Sequence, residues 1–278
     1  MQKEDENYII SELISLHDTT DANDSRVKVY CQPIFDTETG RYDTAEALAR
    51  FETEKLGLLQ PIHFIKLAEE NGRIHALSLN VLNKVCEEIK NMVQAGIALR
   101  WISVNFSVSE FRDEKFCKEI LSIIDSYDIP RSMIAIELTE TSNDADIEQI
   151  KQCMNFLGKE GISFFLDDFG SEYSNFDRLV LLPFDVIKFD RTLMFLATKD
   201  DDKSFKAISG LSDLFRSMDF KVLFEGVETE KDAITCLAMG ADYLQGFLYS
   251  RPIPIKDYEK FLSEDTGKCN RKESEGMK

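Results

Sequence analysis

Histidine is almost missing from this 278-residue chain: only His17, His63 and His75 occur. None falls where a strand is expected to end, so neither a histidine-rich zinc site nor a Ser-His-Asp triad is a sound basis for activity. Basic residues are short as well, 33 against 51 acidic ones, for a net charge of −18. A nucleic-acid polymer needs a basic stripe, and this balance argues against one. An anionic substrate would call for metal ions at its site. No apolar run approaches the roughly 20 residues of a membrane span. The start, MQKEDENY, lacks the basic-then-apolar pattern of a secretory leader. The expectation is a cytoplasmic protein without a membrane span. The cysteines are Cys31, Cys86, Cys117, Cys153, Cys236 and Cys269, none in a C-x-x-C pair. Buried thiols are expected, not a disulfide framework. Chemistry must therefore rest on carboxylates, amides and lysine.

An apolar share of 43% is enough for a folded core. Residues 6–17 read as a short amphipathic helix carrying Ile9, Ile10, Leu13 and Ile14 at helical spacing. It is either a cap on the domain or a contact for a protein partner. Residues 18–25, DTTDANDS, read as a polar linker, and the tail from 264 to 278 is polar. The expected division is 1–25 for helix and linker, 26–263 for one domain and 264–278 for the tail.

Within 26–263, β-rich runs alternate with helical ones. Strands are expected at Lys28–Pro33, Ala45–Ala49, Trp101–Phe106, Ile134–Leu138, Ser163–Asp167, Val186–Phe189, Val222–Phe224 and Ala241–Leu244. Helices are expected at Pro61–Asn71, Leu77–Ala95, Glu114–Tyr127, Asp144–Glu160, Ser204–Met218 and Glu230–Met239. Thr229-Glu230 offers an N-cap, and Gly96, Gly161 and Gly240 follow helix ends. Eight strands alternating with helices suggest an α/β fold of the (β/α)8 type, with a doubly wound open sheet as runner-up. No Gly-rich phosphate loop follows the first strand, which weakens the open sheet.

In a barrel the active site lies at the C-terminal strand ends. There the sequence places Glu46, Asn105, Glu137 (with Glu140 one turn on), Asp167-Asp168, Lys188, Asp190, Glu225 and Gln245. Singly, each has an ordinary explanation as a loop residue, cap or edge charge. Together they are harder to dismiss, because Glu46, Glu137 and Asp167 sit in apolar stretches where unpaired carboxylates are costly. Mutual repulsion would recruit protons or cations. Oxygen-only ligands favour Mg²⁺ or Mn²⁺ over zinc, and the adjacent Asp167 and Asp168 suit two ions. Such a site suits phosphoryl chemistry, with Lys188 orienting water or neutralising charge and Glu225 as general base or further ligand. Arg50, four residues after Glu46, could fork onto a phosphate or form a surface salt bridge.

These residues fall in ordered blocks: YCQPI, AEALAR, SVNFS, IELTE, LDDFG, IKFDR, FEGVET, and QGF followed by SRPIP. Together they resemble the EAL domain of bacterial cyclic-di-GMP phosphodiesterases, over about residues 28–260. The resemblance implies a modified (β/α)8 TIM-like barrel with an antiparallel first strand. It implies hydrolysis of cyclic-di-GMP to linear pGpG with Mg²⁺ or Mn²⁺, two ions in all, and a homodimer. By the same carry-over Glu46, Asn105, Glu137, Asp167 and Asp168 are metal ligands. Lys188 and Glu225 are catalytic. Gln32, Leu48, Arg50, Asp190, Glu228 and Gln245 are substrate contacts, and Glu140 anchors a loop. The block Asp167-Asp168-Phe169-Gly170-Ser171-Glu172-Tyr173-Ser174 departs from the family's D-D-F-G-T-G-Y-S. Glutamate tolerates positive φ poorly where glycine does not mind it, and Glu172 adds charge near the site. The alternatives to a cyclic-di-GMP phosphodiesterase are a non-catalytic cyclic-di-GMP receptor, a protein-interaction module on the same barrel, or a phosphodiesterase for other nucleotides.

Overall fold

The computed structural model describes residues 2–112, 114–139, 147–171, 176–198 and 202–264. Along the chain lie α1 (Lys3–Ile14), β1 (Val27–Asp36), β2 (Thr44–Thr53), β3 (Gly57–Leu59), α2 (Ile65–Glu70), α3 (Ile74–Gln94), β4 (Trp101–Phe106) and α4 (Glu114–Ser126). Then come β5 (Ile134–Thr139), α5 (Ile147–Lys159), β6 (Ser163–Phe169), α6 (Phe176–Leu181), β7 (Val186–Phe189), α7 (Arg191–Thr198) and α8 (Asp202–Ser217). The last are β8 (Lys221–Phe224), α9 (Glu230–Ala238), β9 (Tyr243–Leu244), β10 (Ile253–Pro254) and α10 (Ile255–Glu264).

The sheet closes on itself. From β2 through β4, β5, β6, β7, β8 and β9 every neighbour is parallel. β1 then pairs antiparallel with both β9 and β2 and completes an eight-stranded barrel. The antiparallel first strand follows from its link. Only the segment 37–43 separates β1 from β2, too short for the crossover that a parallel pair requires. β3 and β10 extend the sheet outside the barrel. They are too short for alternation to reveal, and they were not expected. Nor were α6, α7 and α10, where no helix was expected.

Several local signals act as expected. Thr229 caps α9: its side chain accepts from the Asp232 amide, and the Asp232 carboxylate accepts from the Thr229 amide. The stretch expected as one helix from Pro61 is broken into a 3-10 turn, Pro61–His63, and α2. α1 docks its apolar stripe. Ile9 and Leu13, with Leu16 just beyond, belong to the main buried cluster. Arg73 donates to the carbonyls of Leu13 and Leu16 at its C-terminal end. Segment 18–25 is strapped to α3, where Asn80 Nδ2 donates to His17 O at 3.2 Å and Asn83 Nδ2 to Thr20 O at 3.0 Å.

The cysteine expectation needs one correction. Cys117 on α4 and Cys153 on α5 form a disulfide, with Cα atoms 6.4 Å apart. The 36-residue separation carries no local signal. Only the packing of α4 on α5 brings the two within bonding reach. Cys31, Cys86 and Cys236 are free and buried, as expected.

The barrel interior is layered. Ile34, Trp101, Ala135, Phe165, Val186, Leu223 and Tyr243 form a buried cluster of their own. The Trp101 and Phe165 rings meet edge to face at 4.8 Å. Side chains alternate along a strand with a period of two. Two residues farther toward the C-terminal ends, on the same inner face, lie Ser103, Glu137, Asp167, Lys188, Glu225 and Gln245. On the antiparallel β1 the same step upward runs from Ile34 back to Gln32. The apolar layer is the floor on which the polar one stands.

Candidate active site

The polar layer is built around one ammonium. Lys188, fully buried on β7, places Nζ 2.8 Å from Glu137, 2.8 Å from Asp167, 2.9 Å from Glu225 and 3.4 Å from Glu46. It is no solvated edge charge. Burial alone would strip its proton, but the surrounding carboxylates overrule burial and hold its pKa well above the usual lysine range. Glu46 is held by two amides as well. Asn105 Nδ2 donates to Oε1 at 2.8 Å, and Gln245 Nε2 donates to Oε2 at 2.7 Å. Burial works to raise its pKa, yet Lys188 and these hydrogen bonds outweigh it, and the net direction is down.

The other carboxylates go the opposite way. Burial pushes Glu137 well above the usual range, with the charges of Glu46 and Asp167 adding to the effect. Glu225 is raised to about 8, mainly by burial. Asp168 is raised to about 6 by desolvation and by the neighbouring Asp167 charge. Successive strand residues ordinarily face opposite sides. Asp168 escapes this rule: its φ is 56°, and the β6–β7 register shifts between Leu166 and Phe169. The irregularity brings two consecutive aspartates to one site.

The donor set fits hard divalent cations. Carboxylate oxygens of Glu46, Glu137 and Asp167 lie within 4.8 Å of one another, and so do those of Asp167, Asp168 and Glu225. Asp167 is common to both groups. Glu137 Oε1 is buried and has no hydrogen-bond partner among the described residues. With all five carboxylates ionised, the one ammonium would leave four negative charges uncompensated, the charge that two divalent ions supply.

Two clefts flank this cluster, and Glu46 lines both. One, of about 200 Å³, runs along Gln32, Arg191, Glu225, Glu228, Gln245 and Phe247. The other, of about 280 Å³, is bounded by Leu48, Pro61, Ile65, Ile74, Asn105 and Ser107. Arg50 follows Glu46 and Leu48 at period two. It is buried, with its guanidinium 5.4 Å from the Tyr30 ring centre, and it has no ion pair among the described residues. A surface salt bridge is therefore not its role. Glu228 pairs with Arg191 at 3.0 Å on the rim. Asp190 is engaged locally, where Oδ1 accepts from the Thr192 amide at 2.8 Å at the start of α7. Glu140 and Glu172 lie outside the described residues.

Arg191, Gly226, Gly246 and Phe247 line the first cleft although composition alone did not single them out. All four stand inside quoted blocks. A Cβ on Gly246 would lie 2.1 Å from the Val227 carbonyl oxygen, so only glycine permits that approach. Ser107, in the second cleft, closes the quoted SVNFS block, while Pro61, Ile65 and Ile74 carried no signal.

Comparison with known proteins agrees with this geometry. The EAL domain family model matches residues 17–252, and the chain belongs to the EAL domain family. It is 30% identical over 240 residues to the cyclic di-GMP phosphodiesterase PdeL of Escherichia coli, covering 85% of this chain and 64% of PdeL. It is 27% identical over 255 residues to the cyclic di-GMP phosphodiesterase RocR of Pseudomonas aeruginosa, covering 91% and 64%. The chain thus spans less than two thirds of these relatives. Among solved structures, a PaMucR phosphodiesterase in complex with c-di-GMP matches with a TM-score of 0.76 at 28% identity, over 84% of this chain and 94% of that one. Among the described residues no helix is long and apolar enough to cross a membrane.

Proposed function

We propose that this chain is a cytoplasmic, divalent-metal-dependent phosphodiesterase that opens cyclic-di-GMP to linear pGpG. The convergence of five carboxylates, Asn105 and a buried Lys188 on one barrel mouth carries the reading. Relatives named as cyclic di-GMP phosphodiesterases, and the c-di-GMP complex of a similar structure, support the substrate.

Glu46, Asn105, Glu137, Asp167 and Asp168 would hold two ions, Mg²⁺ or Mn²⁺. Bound there, such ions polarise a phosphate and make water a better nucleophile at neutral pH. The chain's own groups do the rest. Lys188 orients the attacking water and offsets charge that builds on the phosphate. In its ionised form Glu225, 2.9 Å from Lys188, takes a proton from that water. Arg50 forks onto the second phosphate, and Leu48 packs a base beside the apolar cleft. Gln32, Gln245 and the Glu228 rim bound the other half of the substrate. Asp190 contributes by shaping the start of α7. Glu140 would anchor the loop after β6.

A homodimer is part of the proposal. Phe176, Val180 and Leu181 on α6, and Phe195 and Leu196 on α7, are exposed apolar side chains. A protein partner would meet α1 at the exposed Ile14.

The test is nucleotide chromatography of purified protein with cyclic-di-GMP, with and without Mg²⁺ or Mn²⁺. Metal-dependent pGpG is the expected result, abolished by Glu46→Ala. Intact nucleotide that still binds would make the chain a receptor, and preferential cleavage of a linear dinucleotide would overturn the substrate. Glu172→Gly is expected to raise turnover or metal affinity.

A further inference from the structure

Among the described residues two buried carboxyls lie outside the acidic cluster: Asp36, which pairs with Arg100, and Glu110. Glu110 sits on the short 3-10 turn Val108–Arg112 that follows β4. Its Oε2 accepts from the Ser107 amide at 3.0 Å and from Ser78 Oγ on α3 at 3.0 Å. Its Oε1 is buried and has no hydrogen-bond partner among the described residues. Ser107 lines the apolar cleft and stands two residues beyond Asn105. The carboxyl therefore ties the turn that emerges from β4 to the long helix behind it.

The groups facing Glu110 come from three helices. From α3, His75 Nδ1 lies 4.0 Å from Oε1. From α4, Glu119 holds the other ring nitrogen of His75 at 3.1 Å and is itself paired with Lys115 at 3.3 Å. From α2, Glu69 adds a negative charge. Among the described residues no lysine or arginine pairs with the Glu110 carboxyl. A buried carboxylate in that setting is costly.

We propose that Glu110 is a positioning residue for the metal site: by clamping the Ser107 amide to α3 it holds the end of β4 so that Asn105 stays against Glu46. The proposal rests on the reading of Asn105 as a metal ligand. Burial pushes the Glu110 pKa up to about 8, so near neutral pH the group keeps its proton. Oε2 then serves as acceptor while the protonated Oε1 points toward His75 Nδ1. A primary amide has the same shape and the same division of donor and acceptor. Glutamine should therefore replace this glutamate, and alanine should not.

The experiment measures Mn²⁺ binding to the full chain without substrate, by the electron paramagnetic resonance signal of free Mn²⁺. Turnover of cyclic-di-GMP is followed in parallel. Wild type that fails to bind Mn²⁺ would overturn the metal reading itself. With wild-type binding in place, Glu110→Ala is expected to weaken Mn²⁺ binding about tenfold, as loss of a group that orients a ligand does. Its turnover should fall at limiting Mn²⁺ and recover at excess, with KM for the nucleotide little changed. Glu110→Gln should bind Mn²⁺ within about twofold of wild type, the change expected of an exchange that keeps both hydrogen bonds. If Glu110→Ala does not fold, Glu110→Asp, which withdraws the carboxyl by one methylene, carries the same comparison. Wild-type Mn²⁺ affinity in a folded alanine or aspartate variant would overturn the proposal. So would a glutamine variant as weak as the alanine one.

Discussion

Two layers of side chains fill the same barrel. The lower one, Ile34, Trp101, Ala135, Phe165, Val186, Leu223 and Tyr243, is apolar and sealed by ring contacts. The upper one, one side-chain step along the same strands, contains Glu137, Asp167, Lys188, Glu225 and Gln245. Both are removed from bulk water, yet their energetics are opposite. The floor gains from burial in proportion to its area. The upper layer loses by burial and is held only by mutual electrostatics, with an excess of negative charge left over. Stability is thus concentrated in one layer and reactivity in the next, and the strand period of two is all that separates them.

The sharpest way to break this comparison is at Lys188. Lys188→Met should cost about 3–5 kcal/mol in the metal-free chain, because it leaves buried carboxylates without their cation. Mn²⁺ should return part of that loss in denaturant titrations. No recovery with Mn²⁺ would mean that charge excess is not what the upper layer lacks. Phe165→Ala should cost about 3–4 kcal/mol from the floor while Mn²⁺ affinity of the folded protein stays near wild type. A large loss of affinity would show that the layers are not separable.

A smaller effect separates them by pH. The pKa of Glu225 is raised from 4.5 to about 8, so between those values the native chain keeps a proton that the unfolded chain has released. Its contribution to stability is therefore present at low pH and is lost as pH rises toward about 8. The slope is at most about 1.4 kcal/mol per pH unit. Glu225→Gln should remove that component in metal-free urea titrations, and an unchanged slope would reject the assignment. The smallest effect belongs to the exposed rim. Arg191→Ala should change stability by less than about 1 kcal/mol, since its pair with Glu228 is solvated. Its consequence should appear in KM for the nucleotide.

The eight expected strands coincide with the eight staves of the barrel because each carries a β-rich run closed by a polar residue. Glu46, Asn105, Glu137, Asp167, Asp168, Lys188 and Glu225 were legible for the same reason, and the structure brings them together. Arg50 was legible as a candidate, but its environment was not. Its burial beneath Tyr30 depends on β1 lying antiparallel to β2. Pro61, Ile65 and Ile74 were invisible as cleft residues because nothing in an apolar side chain distinguishes a wall from a core.

The sequence by itself determined the alternation of strand and helix, the acidic strand ends and the family, since these are local patterns and ordered motifs. Only the tertiary structure decided that one lysine stands among four carboxylates and that two consecutive aspartates turn to one side. It alone decided that Cys117 meets Cys153 and that Glu110 is buried behind the site. Each of those facts depends on the closure of β1 between β9 and β2, on the irregular pairing of β6 with β7, or on helices packed across many residues. The energy of a charge, a thiol or a turn depends on neighbours that the chain order does not place beside it.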